Sequence, residues 1–203
     1  IPKILDTLGP GKEVRVWVAG CASGEEAYSL AILLLEATKE RGRRRPIKIF
    51  ATDMDERSIK IARKGLYPDS IAKEISPTLL ENYFSRVTNE PYYQISSRVR
   101  DLVSFAKQNL TADPPFGRMH LVSCRNVLIY LRRETQEKIL GSFCFALQRS
   151  GYLFLGSSEN LGNQGELFRT ESKKWRVYQK IPDVDSRGGQ FRHLYVSREG
   201  RNG

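Results

Sequence analysis

The residues with chemical reach in this 203-residue chain stand where short apolar runs end. The run from Val14 stops at Gly20 and is followed by Cys21-Ala22-Ser23-Gly24-Glu25-Glu26. The run from Ile47 stops at Asp53, and the run from Met119 stops at Cys124-Arg125-Asn126. A turn of small residues after a strand lets backbone approach a bound nucleotide-like cofactor. A dinucleotide fingerprint reads G-x-G-x-x-G, and its middle glycine lets the backbone close on a pyrophosphate. Here Gly20 and Gly24 flank Cys21, Ala22 and Ser23, so the spacing favours a cofactor without phosphates.

Asp53 terminates its strand as an acid that hydrogen-bonds a ribose does, two oxygens matching two adjacent hydroxyls. Asp55, directly before a helical pattern, suits helix capping instead. Glu26 has two readings: a cofactor ligand, or the acid of a capping box over Ser23-Gly24-Glu25-Glu26. Asn109 and Leu110, followed by Thr111 and Asp113, form a loop whose amide could meet an adenine edge, because an amide both donates and accepts. Arg125 and Asn126 end a buried-looking strand and need polar partners there. Tyr130 follows one turn later, its hydroxyl facing the same cleft or its ring packing under the sheet edge. The segment ADPPF, Ala112 to Phe116, has the letters of the loop with which some methyltransferases reach base nitrogens. It precedes its strand rather than ending it, so Pro114 and Pro115 read as a rigid turn. His120 and His193 are isolated, and no Ser-His-Asp or metal constellation assembles around them.

The elements that must position these residues alternate. Val14 to Ala19, Ile47 to Thr52, Leu102 to Ala106, Met119 to Ser123 and Gly151 to Leu155 read as buried strands. Glu25 to Lys39 puts Ala27, Leu30, Ala31, Leu34 and Leu35 on one helical face, and Glu56 to Gly65 and Arg133 to Gln148 read as helices too. The pattern predicts a doubly wound α/β sheet, in which ligands bind at the carboxyl ends of the strands. Between Tyr67 and Arg100 it breaks into a short helix, Pro77 to Phe84, and two strand-like pieces, Tyr92 to Ser96 and Val99 to Leu102, read as an inserted α+β subdomain. Leu167 to Arg169 and Trp175 to Gln179 predict a closing antiparallel hairpin. One domain over 1–180 and a basic tail or linker over 181–203 are expected.

Composition narrows the class. An apolar content of 40% supports one good core. The longest aliphatic run, Leu30 to Leu35, falls far short of the ~20 residues a membrane span needs, so a cytoplasmic setting without membrane insertion is expected. Cys21, Cys124 and Cys144 are odd in number and lack Cys-x-x-Cys spacing, which suggests neither a disulfide framework nor zinc. A net charge of +10 points to acidic partners. Part of it lies in Arg41, Arg43, Arg44 and Arg45, and part in the tail from Arg187 to Gly203. The start at Ile1 rather than Met is read as a piece of something longer.

Taken together, AGCASGEEAYSLA, ATDMDERSIKIARKGLY, the Asn109-Leu110 pair, CRNVLIYL and GYLFLGSSENL resemble the CheR family of chemotaxis methyltransferases. That family transfers a methyl group from S-adenosylmethionine to receptor glutamates, and the likeness covers roughly Val14 to Lys180. It implies a class I methyltransferase fold, Rossmann-like, with a small β-rich insertion that can serve in receptor docking. It makes Glu26, Asp53, Asn109, Leu110, Arg125 and Asn126 cofactor contacts beside the Gly20 turn, and places Tyr130 at the acceptor. The partner it implies is an acidic helical segment of a receptor or signalling protein, not nucleic acid. The family's N-terminal helical domain, and the arginine-bearing segment just before the nucleotide fold, precede the point where this chain begins. The stretch GSSENLGNQGELFRTESKKWRVYQK is most similar to versions fused to a methylesterase domain and sensory modules. Two other readings stay open from the residues themselves: a base methyltransferase, motivated by +10 and ADPPF, and a catalytically silent cofactor-binding module of a larger sensor.

Overall fold

The computed structural model describes residues 1–9, 11–42 and 45–182. Arg43, Arg44, His193 and the tail from Arg187 lie outside the described residues. The chain divides into two compact units, Ile1–Gln108 and the remainder from Asn109.

The first unit opens with a short helix, α1 (Pro2–Thr7), and is organised by β1 (Val14–Ala19), β2 (Ile47–Asp53) and β6 (Val103–Lys107). These are parallel in the order β6-β2-β1, with Ala19 beside Thr52 and Asp53 beside Lys107. Val14, Val16, Trp17, Val18, Ala19, Ile49 and Ala51 are all buried, as expected of strands covered on both faces. Each large side chain so buried is worth roughly 1.5–3 kcal/mol of transfer free energy. Helix α2 (Glu25–Glu40) buries Ala27, Tyr28, Leu30, Ala31, Ile32 and Leu34. The predicted face is shifted slightly, since Ile32 is buried and Leu35 only half-buried. Helix α3 (Glu56–Lys64) starts at Asp55, whose carboxylate accepts from the Arg57 and Ser58 amides, as expected of a cap.

The insertion carries a sheet of its own. β3 (Leu66–Pro68), β5 (Tyr92–Ile95) and β4 (Phe84–Arg86) run antiparallel in that order, with α4 (Pro77–Tyr83) between β3 and β4. The strand expected at Val99 to Leu102 is instead a helical turn, α5 (Ser97–Arg100). Val99, Arg100 and Asp101 donate back to Ser96 and Ser97 carbonyls, and Val99 is fully buried as the turn's apolar anchor. A β-branched residue after two serines reads as strand locally, but one anchoring contact decides for the turn.

In the second unit, β7 (Met119–Cys124) lies parallel to β8 (Leu147–Leu155), and β8 continues antiparallel to β10 (Val177–Lys180), itself antiparallel to β9 (Phe168–Ser172). The closing hairpin is therefore present. Helix α6 (Arg133–Ala146) stops two residues short of the predicted Gln148, because Leu147 already begins β8. The buried Lys180 ammonium donates to the Leu147 carbonyl at 3.0 Å, tying the hairpin to that strand's start. Among the described residues no helix is long and apolar enough to cross a membrane.

The two inner strands of the first unit share one buried side-chain bond: Trp17 Nε1 donates to Thr52 Oγ1 at 2.9 Å, both residues 1% exposed. Thr52→Val keeps the shape and removes the acceptor. A loss of about 1–3 kcal/mol is expected, read as a lower urea midpoint at unchanged m-value.

Candidate functional site

At the carboxyl end of β1 the chain reverses on itself. Gly20 and Cys21 both donate their amides to the Thr52 carbonyl, at 2.7 and 2.9 Å. Ala22 takes a left-handed conformation, φ 44°, and its amide donates to Asp53 Oδ2 at 2.9 Å. The Gly24 amide returns to the Cys21 carbonyl, closing the turn. Gly24 caps α2 at φ 93°, and a Cβ there would stand 3.0 Å from Ala62 Cβ and 3.1 Å from the Phe105 ring. Both the backbone conformation and the close packing demand glycine. Tyr67, from the inserted subdomain, donates its hydroxyl to the Ser23 carbonyl at 3.0 Å. Burial, and then the charge on Glu25, push that phenol's pKa up, which keeps it a donor.

Asp53 is the hinge of this arrangement. One oxygen accepts from Ala22, and Oδ1 accepts from the Asp55 amide at 2.9 Å, so the half-buried carboxylate is fixed from two sides. Each oxygen retains lone-pair capacity for a further donor. The neighbouring Asp55 side chain is spent on α3. Its bonds from the Ser58 hydroxyl and the Arg57 amide hold its carboxyl below the usual range.

The capping box expected over Ser23 to Glu26 does not form. Gly24 is the cap, one residue later than the box requires, and α2 has no side-chain cap bond. The Ser23 hydroxyl donates instead to the Glu25 carboxylate, at 2.8 and 2.9 Å. Glu26 is half-buried in the first turn of α2.

In the second unit Asn109 opens a tight turn. Its side-chain oxygen accepts from the Thr111 amide and hydroxyl, at 2.9 and 2.7 Å, and its own amide donates to Asp113 Oδ2 at 2.7 Å. Of the two functions expected of this amide, accepting is thus used within the turn itself. Leu110 is half-buried within it. The ADPPF segment shares Ala112 and Asp113 with this turn, and its Pro114-Pro115-Phe116 part is irregular chain leading to β7 rather than the turn expected from sequence.

After β7, Arg125 lays its guanidinium 5.0 Å from the centre of the Phe154 ring on β8. Asn126 is left-handed, φ 59°. Tyr130, on a short 3-10 turn over Leu128–Tyr130, is 80% exposed. So the structure joins Gly20, Ala22 and Asp53 in one hydrogen-bonded group, and gathers Arg125, Asn126 and Tyr130 on one loop. The residue missed from sequence is Glu159. It is 3% exposed, and its carboxylate accepts from the amides of Asn126, Val127, Leu128 and Gly156, at 2.7–3.1 Å. The signal was a single acid set among small polar residues just past β8, in Gly156-Ser157-Ser158-Glu159.

The first-unit turn tests what it can hold. A pyrophosphate is bound by unspent backbone amides at a helix start. Here the amides of Gly20, Cys21, Ala22 and Gly24 are committed within the protein, and Glu25, Glu26 and Asp53 surround them with negative charge. That environment repels phosphate and suits a nucleoside carrying positive charge. The description "CheR methyltransferase, SAM binding domain" matches residues 1–177.

The chain belongs to the CheR methyltransferase family. It is 42% identical over 204 residues to an uncharacterized 104.1 kDa protein from the hypE 3′ region of Rhodobacter capsulatus, covering 96% of this chain and 21% of that one. It is 39% identical over 156 residues to the chemotaxis protein methyltransferase of Salmonella typhimurium, covering 74% of this chain and 53% of that one. The chain thus spans about a fifth and about half of these relatives' lengths. Among solved structures, a TehB-like SAM-dependent methyltransferase from Corynebacterium glutamicum matches with a TM-score of 0.50 at 15% identity, covering 88% of this chain and 86% of that one. That likeness shows the fold, the class I methyltransferase α/β fold expected from sequence. S-adenosylmethionine is the cofactor of this CheR domain, and its lack of phosphates agrees with the committed amides of the turn.

Cys21 lies inside the turn, and burial together with the Asp53 carboxylate pushes its thiol up to about 12. At pH 8 only about one thiol in ten thousand is then ionised. Iodoacetamide at that pH is expected to leave Cys21 unmodified in the folded CheR domain and to label it after urea unfolding, as peptide mass spectrometry will read.

Proposed function

We propose that this CheR-family chain serves S-adenosylmethionine-dependent methyl transfer to glutamate side chains of a chemoreceptor or related signalling protein, in the cytoplasm. The observation that carries the reading is the phosphate-excluding, carboxylate-rimmed turn, held by Asp53, in a chain of this family. S-adenosylmethionine supplies, when bound, a methyl group on a positively charged sulfur. The chain's own residues bind and orient.

Asp53, already fixed by Ala22 and Asp55, presents its remaining lone pairs to the paired ribose hydroxyls. The Asn109 amide NH2 donates to the adenine edge and Leu110 covers the ring. Gly20 lets backbone approach the ligand. Glu26 and Arg125 have the charges that answer an amino group and a carboxylate at the methionine end, with Asn126 beside Arg125. Tyr130, exposed on its short turn, orients the acceptor. A glutamate acceptor, with a pKa of about 4.3, is ionised at neutral pH and needs no general base. What remains for the protein is alignment and exclusion of water, and well-oriented reactants gain roughly 7–11 kcal/mol in this way. The net charge of +10 attracts an acidic helical segment of the partner.

Two measurements test the reading. Calorimetric titration with S-adenosylhomocysteine is expected to show binding that weakens at least tenfold, about 1.4 kcal/mol, in Asp53→Ala. With methyl-labelled cofactor and receptor, mild alkali is expected to release the label as methanol, as a glutamyl ester does. Label that survives alkali indicates a methylated nitrogen and rejects the glutamate assignment.

A further inference from the structure

The most completely coordinated buried carboxylate among the described residues belongs to Glu159, which the proposed function leaves without a task. Its Oε1 accepts from Val127 and Leu128, at 2.9 and 2.7 Å, and its Oε2 from Asn126 and Gly156, at 3.1 and 2.7 Å. Three of the four donors are successive amides of the loop that carries Arg125, Asn126 and Tyr130. The register explains the meeting. Cys124 pairs with Leu155, so β7 and β8 end at the same level, and the turn after β8 lies against the loop after β7. The Glu159 amide closes that turn on the Gly156 carbonyl at 3.0 Å.

The loop is held from its other side as well. Gln136 on α6 donates its side-chain amide to the carbonyls of Leu128 and Leu131, both at 2.9 Å. Glu159 thus takes the loop's donors while Gln136 takes its acceptors. Within this loop Asn126 takes a left-handed conformation, φ 59°, which asparagine tolerates better than other non-glycine residues. The fit is close. A Cβ on Gly156 would lie 2.8 Å from both Asn126 Oδ1 and Glu159 Oε2, and 2.9 Å from the Asn126 amide.

The structure assigns to Glu159 the role of positioning residue for the Arg125–Tyr130 loop: by gathering its amides on one buried carboxylate, it sets the conformation in which Arg125 and Asn126 bind cofactor. The assignment rests on the methyl-transfer reading above for its functional half. A carboxylate is required because four donors converge on it. In Glu159→Gln the NH2 group must face one pair of amides, Asn126 with Gly156 or Val127 with Leu128, and that pair loses its acceptor.

The test combines amide hydrogen exchange with S-adenosylhomocysteine calorimetry on the full chain and on two variants, Glu159→Gln and Gly156→Ala, the second removing the space rather than the charge. Both variants are expected to exchange the amides of residues 126–128 at least tenfold faster than the parent while the β8 amides of Tyr152 to Leu155 keep their protection. Both are expected to bind S-adenosylhomocysteine at least tenfold more weakly. Unchanged exchange over 126–128 in both variants overturns the assignment. So does accelerated exchange with cofactor affinity within twofold of the parent, which reduces Glu159 to a loop fastener. A parent chain that binds no S-adenosylhomocysteine although residues 126–128 are protected overturns the methyl-transfer reading, and the functional half of the assignment with it.

Discussion

The interaction on which the first unit's binding loop depends is the bond from the Ala22 amide to the Asp53 carboxylate. Ala22 has only a methyl side chain, with no polar group to support its left-handed backbone, and such a conformation costs a non-glycine residue of order 1–3 kcal/mol. A hydrogen bond to a charged acceptor returns about 1.5–3 kcal/mol. The two are of the same size, so the carboxylate offsets the cost of the turn's shape. The same group also fixes Asp55, and through it the start of α3. Loop geometry and helix entry therefore share one acid.

The second unit repeats the device with other residues. Asn126 is left-handed, and the acid that receives its amide is Glu159. In each unit, then, the bend after a buried strand is stabilised by a carboxylate at or just past the end of the adjacent parallel strand: Asp53, the last residue of β2, for the β1 turn, and Glu159, past β8, for the β7 loop. Parallel pairing makes this possible, because it puts the carboxyl ends of neighbouring strands at one level. The difference lies in exposure. Asp53 is half-buried and partly open to solvent, whereas Glu159 is enclosed and spent on backbone.

That difference also explains what the sequence disclosed. The strand-end position of Asp53 was legible because an acid closing an apolar run marks where the strand leaves the sheet, and strand ends are where α/β sheets bind ligands. The strands themselves were legible from unbroken β-branched and aromatic runs, and β1 begins and ends where the pattern placed it. Glu159 was hidden because its task is to accept backbone amides from residues about thirty positions earlier, and nothing in its neighbours reports that distance. The false capping box at Ser23 failed for a related reason. The motif's letters were right, but the cap is Gly24, left-handed and set where a side chain would meet Ala62 and Phe105, so the helix starts one residue onward. The turn at Ser97 was likewise decided by one buried contact of Val99 rather than by propensity. Elements set by local periodicity were readable, and those set by a single tertiary contact were not.

The charge distribution completes the physical picture. The chain carries a net +10, yet Glu25, Glu26, Asp53, Asp55 and Glu56 crowd around the carboxyl ends of β1 and β2. At that rim the acids outnumber the cations that stand among them, Lys107, the register partner of Asp53, and Arg57 in the first turn of α3, so the local field is net negative. A positively charged sulfonium nucleoside is favoured at that rim, while a phosphorylated one meets both the acids and a turn whose amides are committed. At longer range the excess of lysine and arginine sets the sign of the field that an approaching macromolecule meets, so the local charge at the turn and the net charge of the chain are opposite in sign.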